Sequence, residues 1–135
     1  MTNRKIAVCW ILAVVSISGW AQEAPASVTF YRYKQFVGSA LKPSVYCDEV
    51  EMARMENGRY FVAQLSPGRH TFRSNDKQSG VELDLKKGEA YYLRVEIAAG
   101  AMKGHGRLVV MTKEQGPFEI KKLKPMEKHK VQAPK

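Results

Sequence analysis

Residues 81–97 read VELDLKKGEAYYLRVEI and carry the clearest secondary-structure signal of the chain. Apolar residues at 81, 83 and 85 alternate with charged residues, and Tyr91, Leu93, Val95 and Ile97 again occupy every second position. Alternation with a period of two is typical of a strand that buries one face and exposes the other. Lys87 and Gly88 interrupt the pattern, so the stretch predicts two strands joined by a turn.

Similar short segments recur on both sides of this pair, at a spacing of about ten residues. The other predicted strands cover residues 28–33, 44–47, 50–55, 59–65, 70–74, 107–112 and 118–123. Between them, Asn57-Gly58 is a strong hairpin signal, and Pro67-Gly68 fits a type II turn. We therefore predict an all-β fold, an antiparallel β-sandwich of about eight or nine short strands spanning residues 28–123.

The strand pattern also predicts which side chains fill the core. Phe61 and Val62 are adjacent, so one of them should be less buried than the other. The predicted core is Phe30, Val45, Phe61, Val62, Leu65, Phe72, Val81, Leu83, Leu85, Tyr91, Leu93, Val95, Ile97, Leu108 and Val110.

Length and composition limit the class of protein. The 135 residues suit one domain, and 44% hydrophobic with 26% charged residues excludes wholesale disorder and collagen-like structure. Two cysteines are too few for a disulfide scaffold. The chain contains no HxH, HExxH, CxxC or GxSxG motif. We therefore predict no catalytic residues, no metal site, no disulfide and no cofactor.

Residues 1–21, MTNRKIAVCWILAVVSISGWA, have the layout of a signal peptide. Arg4 and Lys5 precede an apolar run, and the small residues Gly19 and Ala21 follow it. We expect cleavage after Ala21 and export to the periplasm or the medium. The alternative is an N-terminal membrane anchor, although the apolar run is shorter than the roughly 20 residues that a spanning helix needs.

Cleavage would remove Cys9 and leave Cys47 as the single cysteine. A single thiol cannot form an internal disulfide. Its neighbours Val45 and Tyr46 are typical of a strand, which favours a buried thiol that behaves as a small apolar side chain. The alternative is an intermolecular disulfide.

The net charge of +9 and the pI near 9.7 come largely from the C-terminus, because residues 121–135 hold six lysines and one acid. This distribution argues against a nucleic-acid-binding domain. We predict a polar leader at 22–27 and a disordered Lys-rich tail at 124–135. The tail either keeps the protein soluble or contacts anionic surfaces weakly through Lys121, Lys122, Lys124, Lys128 and Lys130.

Two groups of residues are candidates for binding. Tyr31, Tyr33, Tyr92 and Arg94 would form an aromatic and basic outer face for a glycan or peptide, or an ordinary solvated sheet surface. His105 lies between two glycines, which leaves its ring accessible to a ligand but is equally compatible with a tight turn.

Four motifs resemble a bacterial family called domain of unknown function 2846, which contains small exported or lipoprotein β-sandwiches. They lie at 45–48, at 57–61 (NGRYF), at 65–72 (LSPGRHTF) and at 86–95 (KKGEAYYLRV). The turn at 67–70 is more weakly similar to PEGA-type and transthyretin-like modules. Family members often show Asp-Gly in the first turn, whereas this chain has Asp48-Glu49. The resemblance implies the sandwich fold but no activity and no catalytic residues.

These observations predict an exported, non-enzymatic binding or structural module of the bacterial cell envelope. The expected partner is an envelope protein or glycan rather than nucleic acid. The alternative is a small exported hydrolase or redox-active protein that uses Cys47 or His105.

Overall fold

The computed structural model describes residues 23–98 and 105–127. The predicted signal peptide and residues 128–135 lie outside the described residues. Within them, no helix is long and apolar enough to cross a membrane. The described elements are β1 (Ala26–Tyr31), β2 (Ser44–Cys47), β3 (Val50–Arg54), β4 (Arg59–Leu65), β5 (Gly68–Arg73), β6 (Val81–Leu85), β7 (Ala90–Ala98), β8 (His105–Met111), α1 (Gln115–Ile120) and β9 (Lys124–Pro125).

The strands form two sheets that enclose one core, which confirms the all-β sandwich. Sheet A has the order β8-β7-β1-β4-β9, and sheet B has the order β3-β2-β5-β6. Three aromatic rings mark the centre of the core: Phe30 stacks on Phe61 of the neighbouring strand, with ring centroids 5.0 Å apart, and meets Phe72 of sheet B at 5.7 Å. Inward-facing apolar residues of both sheets surround them.

Two of the strand pairings are parallel, whereas the sequence pattern led us to expect antiparallel pairs. β1 pairs in parallel with β7, and β4 with β9; the other described pairings are antiparallel. Parallel neighbours need a long connection. Here the chain between β1 and β7 crosses to sheet B and back twice, which supplies that connection.

The predicted core is confirmed at most positions. Phe61 is buried and Val62 is 41% exposed, as the alternation of adjacent residues requires. The prediction that Val110 belongs to the core is wrong: Val110 lies towards the end of the edge strand β8 and is 48% exposed. The sequence pattern missed two buried methionines of the β3 region, Met52 and Met55.

The predicted strand at 118–123 is wrong, because this segment contains the end of α1. The helix begins at Gln115, whose N–H donates to the hydroxyl of Thr112 at 3.1 Å. Gly116 is buried against Tyr92, and a Cβ at this position would lie 2.3 Å from Cγ of that ring. The absence of a side chain therefore lets α1 pack directly on β7.

The ends of the folded body extend beyond the predicted bounds. β1 begins at Ala26, inside the predicted leader. The predicted tail is wrong at 124–127: β9 pairs with β4, and Met126 is buried in the core with its N–H donating to the carbonyl oxygen of Tyr60 at 2.9 Å. One apolar side chain and an available sheet edge are enough to order this segment.

Candidate functional site

The turn between β2 and β3 is formed by two non-glycine residues in the left-handed region. Asp48 has φ of 47° and Glu49 has φ of 66°. Two-residue hairpin turns of this kind usually contain glycine or asparagine. Here side chains hold the turn: Arg73 donates through Nε and Nη2 to the carboxylate of Glu49 at 2.9–3.1 Å. The departure from Asp-Gly therefore leaves the hairpin intact.

Asp48 also joins a three-residue cluster with Cys47 and His70. Its Oδ1 accepts the N–H of Thr71 at 2.9 Å, and its Oδ2 lies 2.7 Å from Nδ1 of His70. Sγ of Cys47 lies 3.7 Å from that Oδ2 and 3.9 Å from that Nδ1. The other ring nitrogen, Nε2, lies 2.8 Å from the carbonyl oxygen of Ser66. The antiparallel pairing of β2 with β5 brings these residues together.

The environment of Cys47 disfavours ionisation of its thiol. Burial, followed by the charge and hydrogen bonding of Asp48, raises the pKa of Cys47 to about 12. Burial also opposes ionisation of Asp48, but hydrogen bonds from Thr71 and His70 hold the pKa of Asp48 below its usual value. The thiolate is the nucleophile in cysteine chemistry. At neutral pH, Cys47 is therefore a protonated thiol beside an ionised carboxylate.

The histidine that contacts Cys47 is His70 and not His105. His105 is exposed at the start of β8 in sheet A, where it pairs with Ala98. Cys47 belongs to sheet B. The structure thus places the two residues of the predicted hydrolase or redox site on different sheets.

The predicted aromatic and basic face is partly covered by α1. Tyr31 is fully buried and donates its hydroxyl hydrogen to Glu119 of α1. Arg94 pairs with the same carboxylate at 3.1 Å and lies 5.4 Å from the ring of Tyr33. Tyr92 packs under Gly116. Tyr31, Tyr92 and Arg94 belong to sheet A and Tyr33 follows the end of β1, but α1 occupies much of the surface that these residues were expected to offer.

The loop between β1 and β2 carries two strongly exposed apolar side chains. Phe36 is 96% exposed and Val37 is 84% exposed; we call these two residues the apolar tip. Together with Gln35 and Ile97 of β7 they line an open groove of about 410 Å³. A contiguous exposed apolar patch is typical of a binding site, whereas single exposed apolar side chains are common on any surface.

A buried arginine anchors this loop. Arg32 is almost fully buried, and its guanidinium donates to the carbonyl oxygens of Gly38 (2.7 Å), Met55 (3.3 Å) and Leu41. Burial lowers the pKa of Arg32. No carboxylate pairs with it among the described residues, and its Nε has no hydrogen-bond partner there. Carbonyl oxygens therefore provide its polar contacts and hold the loop that carries the apolar tip.

A cationic cleft adjoins this loop. It has a volume of about 260 Å³ and is lined by Asn57 and Gly58 and by the cationic residues Lys34, Arg59, Lys122 and Lys124. Asn57 joins the cleft to the loop, because its side chain accepts the N–H of Gln35 at 2.9 Å and donates to the Gln35 carbonyl oxygen at 2.8 Å. Within the described part of the chain, the three lysines form no ion pair, and Arg59 lies 4.0 Å from Glu56.

The tail lysines divide between the folded body and the end of the chain. Lys122 and Lys124 line the cationic cleft, and Lys121 lies in the turn after α1. Lys128 and Lys130 lie outside the described residues. Part of the predicted tail charge is thus fixed on the sandwich.

Comparison with known proteins shows the family. The model of the family described as "protein of unknown function (DUF2846)" matches residues 22–107, well over half of the chain. The chain belongs to the DUF2846 family. An uncharacterized protein of Haemophilus influenzae is 27% identical to it over 96 residues, which cover 69% of this chain and 57% of the relative. This DUF2846 chain therefore matches little more than half of the relative's length.

The family match covers the cluster and the apolar tip completely but the cationic cleft only in part. It includes Cys47, Asp48 and His70 as well as the apolar tip, but it ends before Lys122 and Lys124. Sequence reasoning on this DUF2846 protein missed the cluster, the tip and the buried Arg32. The one available signal was Phe36-Val37 between two predicted strands, since apolar pairs are unusual in loops of polar composition.

Proposed function

We propose that this DUF2846 protein is an exported, non-enzymatic binding module that attaches to the anionic lipid surface of the cell envelope. The observation that carries the proposal is the juxtaposition of the apolar tip and the cationic cleft. Phosphate-bearing headgroups would contact the cationic side chains, while the Phe36 and Val37 side chains enter the apolar boundary beneath them. Export rests on the signal-peptide pattern of residues 1–21.

The approximate binding free energies favour a site that combines the apolar tip with the cationic cleft over either part alone. Full burial of a Phe or Val side chain contributes roughly 1.5–3 kcal/mol. Each basic residue near an anionic membrane contributes about 1 kcal/mol. Even a myristoyl chain gives only marginal membrane binding by itself, and stable attachment takes a second signal such as a polybasic patch. The tip and the cleft provide two such signals on adjacent surfaces.

The anchored loop adds to this argument. Because Arg32 already orders the backbone at Gly38 and Leu41, binding needs to immobilise little more than the exposed side chains. A hydrolase or thiol-redox role has less support, since Cys47 is fully buried and its pKa is raised to about 12.

Vesicle co-sedimentation tests the proposal. The protein used is the form that cells export, and its N-terminus is determined by intact-mass spectrometry. That mass also tests cleavage after Ala21. We expect binding to vesicles that contain anionic lipid, little binding to neutral ones, and weakening at high salt. A Phe36→Ser and Val37→Ser double variant should bind at least tenfold more weakly, and a Lys122→Glu and Lys124→Glu double variant should also lose binding.

Two matched controls lie away from the proposed surface. Val110 is 48% exposed on β8, and Lys87 is exposed in the turn at the opposite end of β1 from the tip. Val110→Ser and Lys87→Glu should retain binding. Equal binding to neutral and anionic vesicles, or equal losses in the controls, contradicts the proposal. If the protein does not bind vesicles and a photo-crosslinker at position 36 captures a protein, the partner of the apolar tip is a protein and not lipid.

A further inference from the structure

The cluster of Cys47, Asp48 and His70 offers three different metal-ligand atoms. Sγ, Oδ2 and Nδ1 all lie within 4.8 Å of one another. Their separations are 3.7 Å for sulfur to oxygen, 3.9 Å for sulfur to nitrogen and 2.7 Å for nitrogen to oxygen. Zinc bonds of about 2.3 Å to sulfur and about 2.0–2.2 Å to nitrogen and oxygen put tetrahedral ligands roughly 3.3–3.6 Å apart. Shifts of less than 1 Å therefore convert the present arrangement into that geometry.

The hydrogen bonds around the cluster already orient two of the ligands. Metal-bound histidines generally donate their second ring N–H to a carbonyl or carboxylate oxygen. Nε2 of His70 lies 2.8 Å from the carbonyl oxygen of Ser66 in this manner, which leaves Nδ1 directed at the other two ligands. Oδ1 of Asp48 accepts the N–H of Thr71, so Oδ2 is held towards the same point. Neither outer hydrogen bond needs to break when an ion binds.

We propose that Cys47, Asp48 and His70 bind one divalent ion of the zinc class. A thiolate, a carboxylate and a neutral imidazole together with a 2+ ion give a complex of zero net charge, which suits a largely buried position. The sulfur and imidazole ligands favour zinc over magnesium or calcium. The fourth position is open to water on the side of Asp48, which is exposed at the hairpin turn.

Metal binding exchanges protons at this site. In the metal-free cluster the thiol of Cys47 is protonated, and one proton lies between Nδ1 of His70 and Oδ2 of Asp48. Binding of the ion releases to solvent the thiol proton and the proton between Nδ1 and Oδ2, so that all three ligand atoms face the ion. No oxidation or reduction takes place. This inference is independent of the proposed membrane attachment, because the cluster shares no residue with the apolar tip or the cationic cleft.

Cobalt(II) is the probe for the first experiment, since it replaces zinc and gives a thiolate-to-cobalt charge-transfer band when sulfur is bound. The full-length chain with Cys9→Ala makes Cys47 the single thiol. We expect the band to appear at one equivalent of cobalt and to disappear on addition of zinc. A folded protein that gives no band overturns the proposal and leaves the cluster as a hydrogen-bonded clamp.

Variants assign the remaining ligands by calorimetric titration with zinc. Cys47→Ser, Asp48→Asn and His70→Gln should each weaken zinc binding at least tenfold, whereas His105→Gln should not. Equal affinity in all four variants contradicts the proposed ligand set. A cluster variant that does not fold is set aside. The ligand set is then decided by two readings: the cobalt band of the Cys9→Ala protein, and the loss of that band in whichever of His70→Gln and Asp48→Asn folds. The band alone confirms sulfur ligation, and its absence excludes it.

Discussion

Nδ1 of His70 lies 2.7 Å from Oδ2 of Asp48, while Nε2 of the same ring lies 2.8 Å from the carbonyl oxygen of Ser66. A carbonyl oxygen and an ionised carboxylate can only accept hydrogen bonds. The His70 ring thus bridges two acceptor oxygens, one in the β2–β3 turn and one just before β5. The β2–β3 turn is tied to β5 through the Asp48 carboxylate, which contacts both His70 and the N–H of Thr71.

Asp48→Asn should destabilise the metal-free protein by about 1–2 kcal/mol at neutral pH, a modest value because part of the carboxylate faces water. The folded-state pKa of Asp48 is lowered, so its contribution is complete above the unfolded pKa of about 3.9 and is lost as pH falls through the folded value. Melting temperatures of both proteins, measured with a chelator present, should begin to converge as pH falls below about 4 and should coincide below the folded-state pKa of Asp48. A gap that is independent of pH would contradict this assignment.

Gly116→Ala should destabilise the protein by about 1–3 kcal/mol, because the new Cβ would overlap the Tyr92 ring and displace α1. Gly80→Ala is the matched control: its Cβ would be no closer than 3.7 Å to the Phe72 carbonyl oxygen. Urea denaturation of both variants measures the difference. Equal stability of the two would show that α1 does not depend on the close approach to Tyr92.

Arg32→Met should destabilise the fold by about 2–4 kcal/mol, since it removes the donor shared by the carbonyl oxygens of Gly38, Leu41 and Met55. The loop should also become sensitive to chymotrypsin at Phe36. Arg54→Met, on an exposed arginine of β3, is the control for loss of charge. Limited proteolysis followed by mass spectrometry reads the cleavage site. Resistance of the Arg32 variant would mean that other contacts order the loop.

Alkylation of Cys47 in the folded, metal-free protein should be on the order of 1000-fold slower at pH 8 than in the denatured chain. A pKa near 12 reduces the thiolate fraction by that factor, and burial slows access further. Peptide mass spectrometry after timed labelling measures the rate at Cys47 separately from Cys9. Rapid labelling under native conditions would revive the thiol-based hydrolase or redox alternative.

The strands were predictable because each carries its signal locally. Leu83 and Leu85, or Leu93 and Val95, alternate with polar residues whatever the rest of the chain does. The segment around Phe118 and Ile120 has the same period over too few residues to separate strand from helix. Its helical state depends on packing against Tyr92, a contact that no local pattern encodes.

The candidate site was far less predictable than the fold. Asp48 was identified as a turn residue and His70 as a strand residue, but their meeting depends on the register of β2 against β5. Arg32 had the appearance of an ordinary strand cation. Its burial follows from loop carbonyl oxygens that converge only in the folded protein.

The position of β1 has a consequence for synthesis of the chain. β1 is a central strand of sheet A, yet one of its two neighbours is β7, with Ser27 opposite Ala90. A nascent chain therefore carries β1 with an open edge until β7 has left the ribosome, and non-local pairing of this kind is slow. Open strand edges promote aggregation. The interval between emergence of β1 and of β7 is thus the period in which the open edge of β1 exposes the chain most to aggregation.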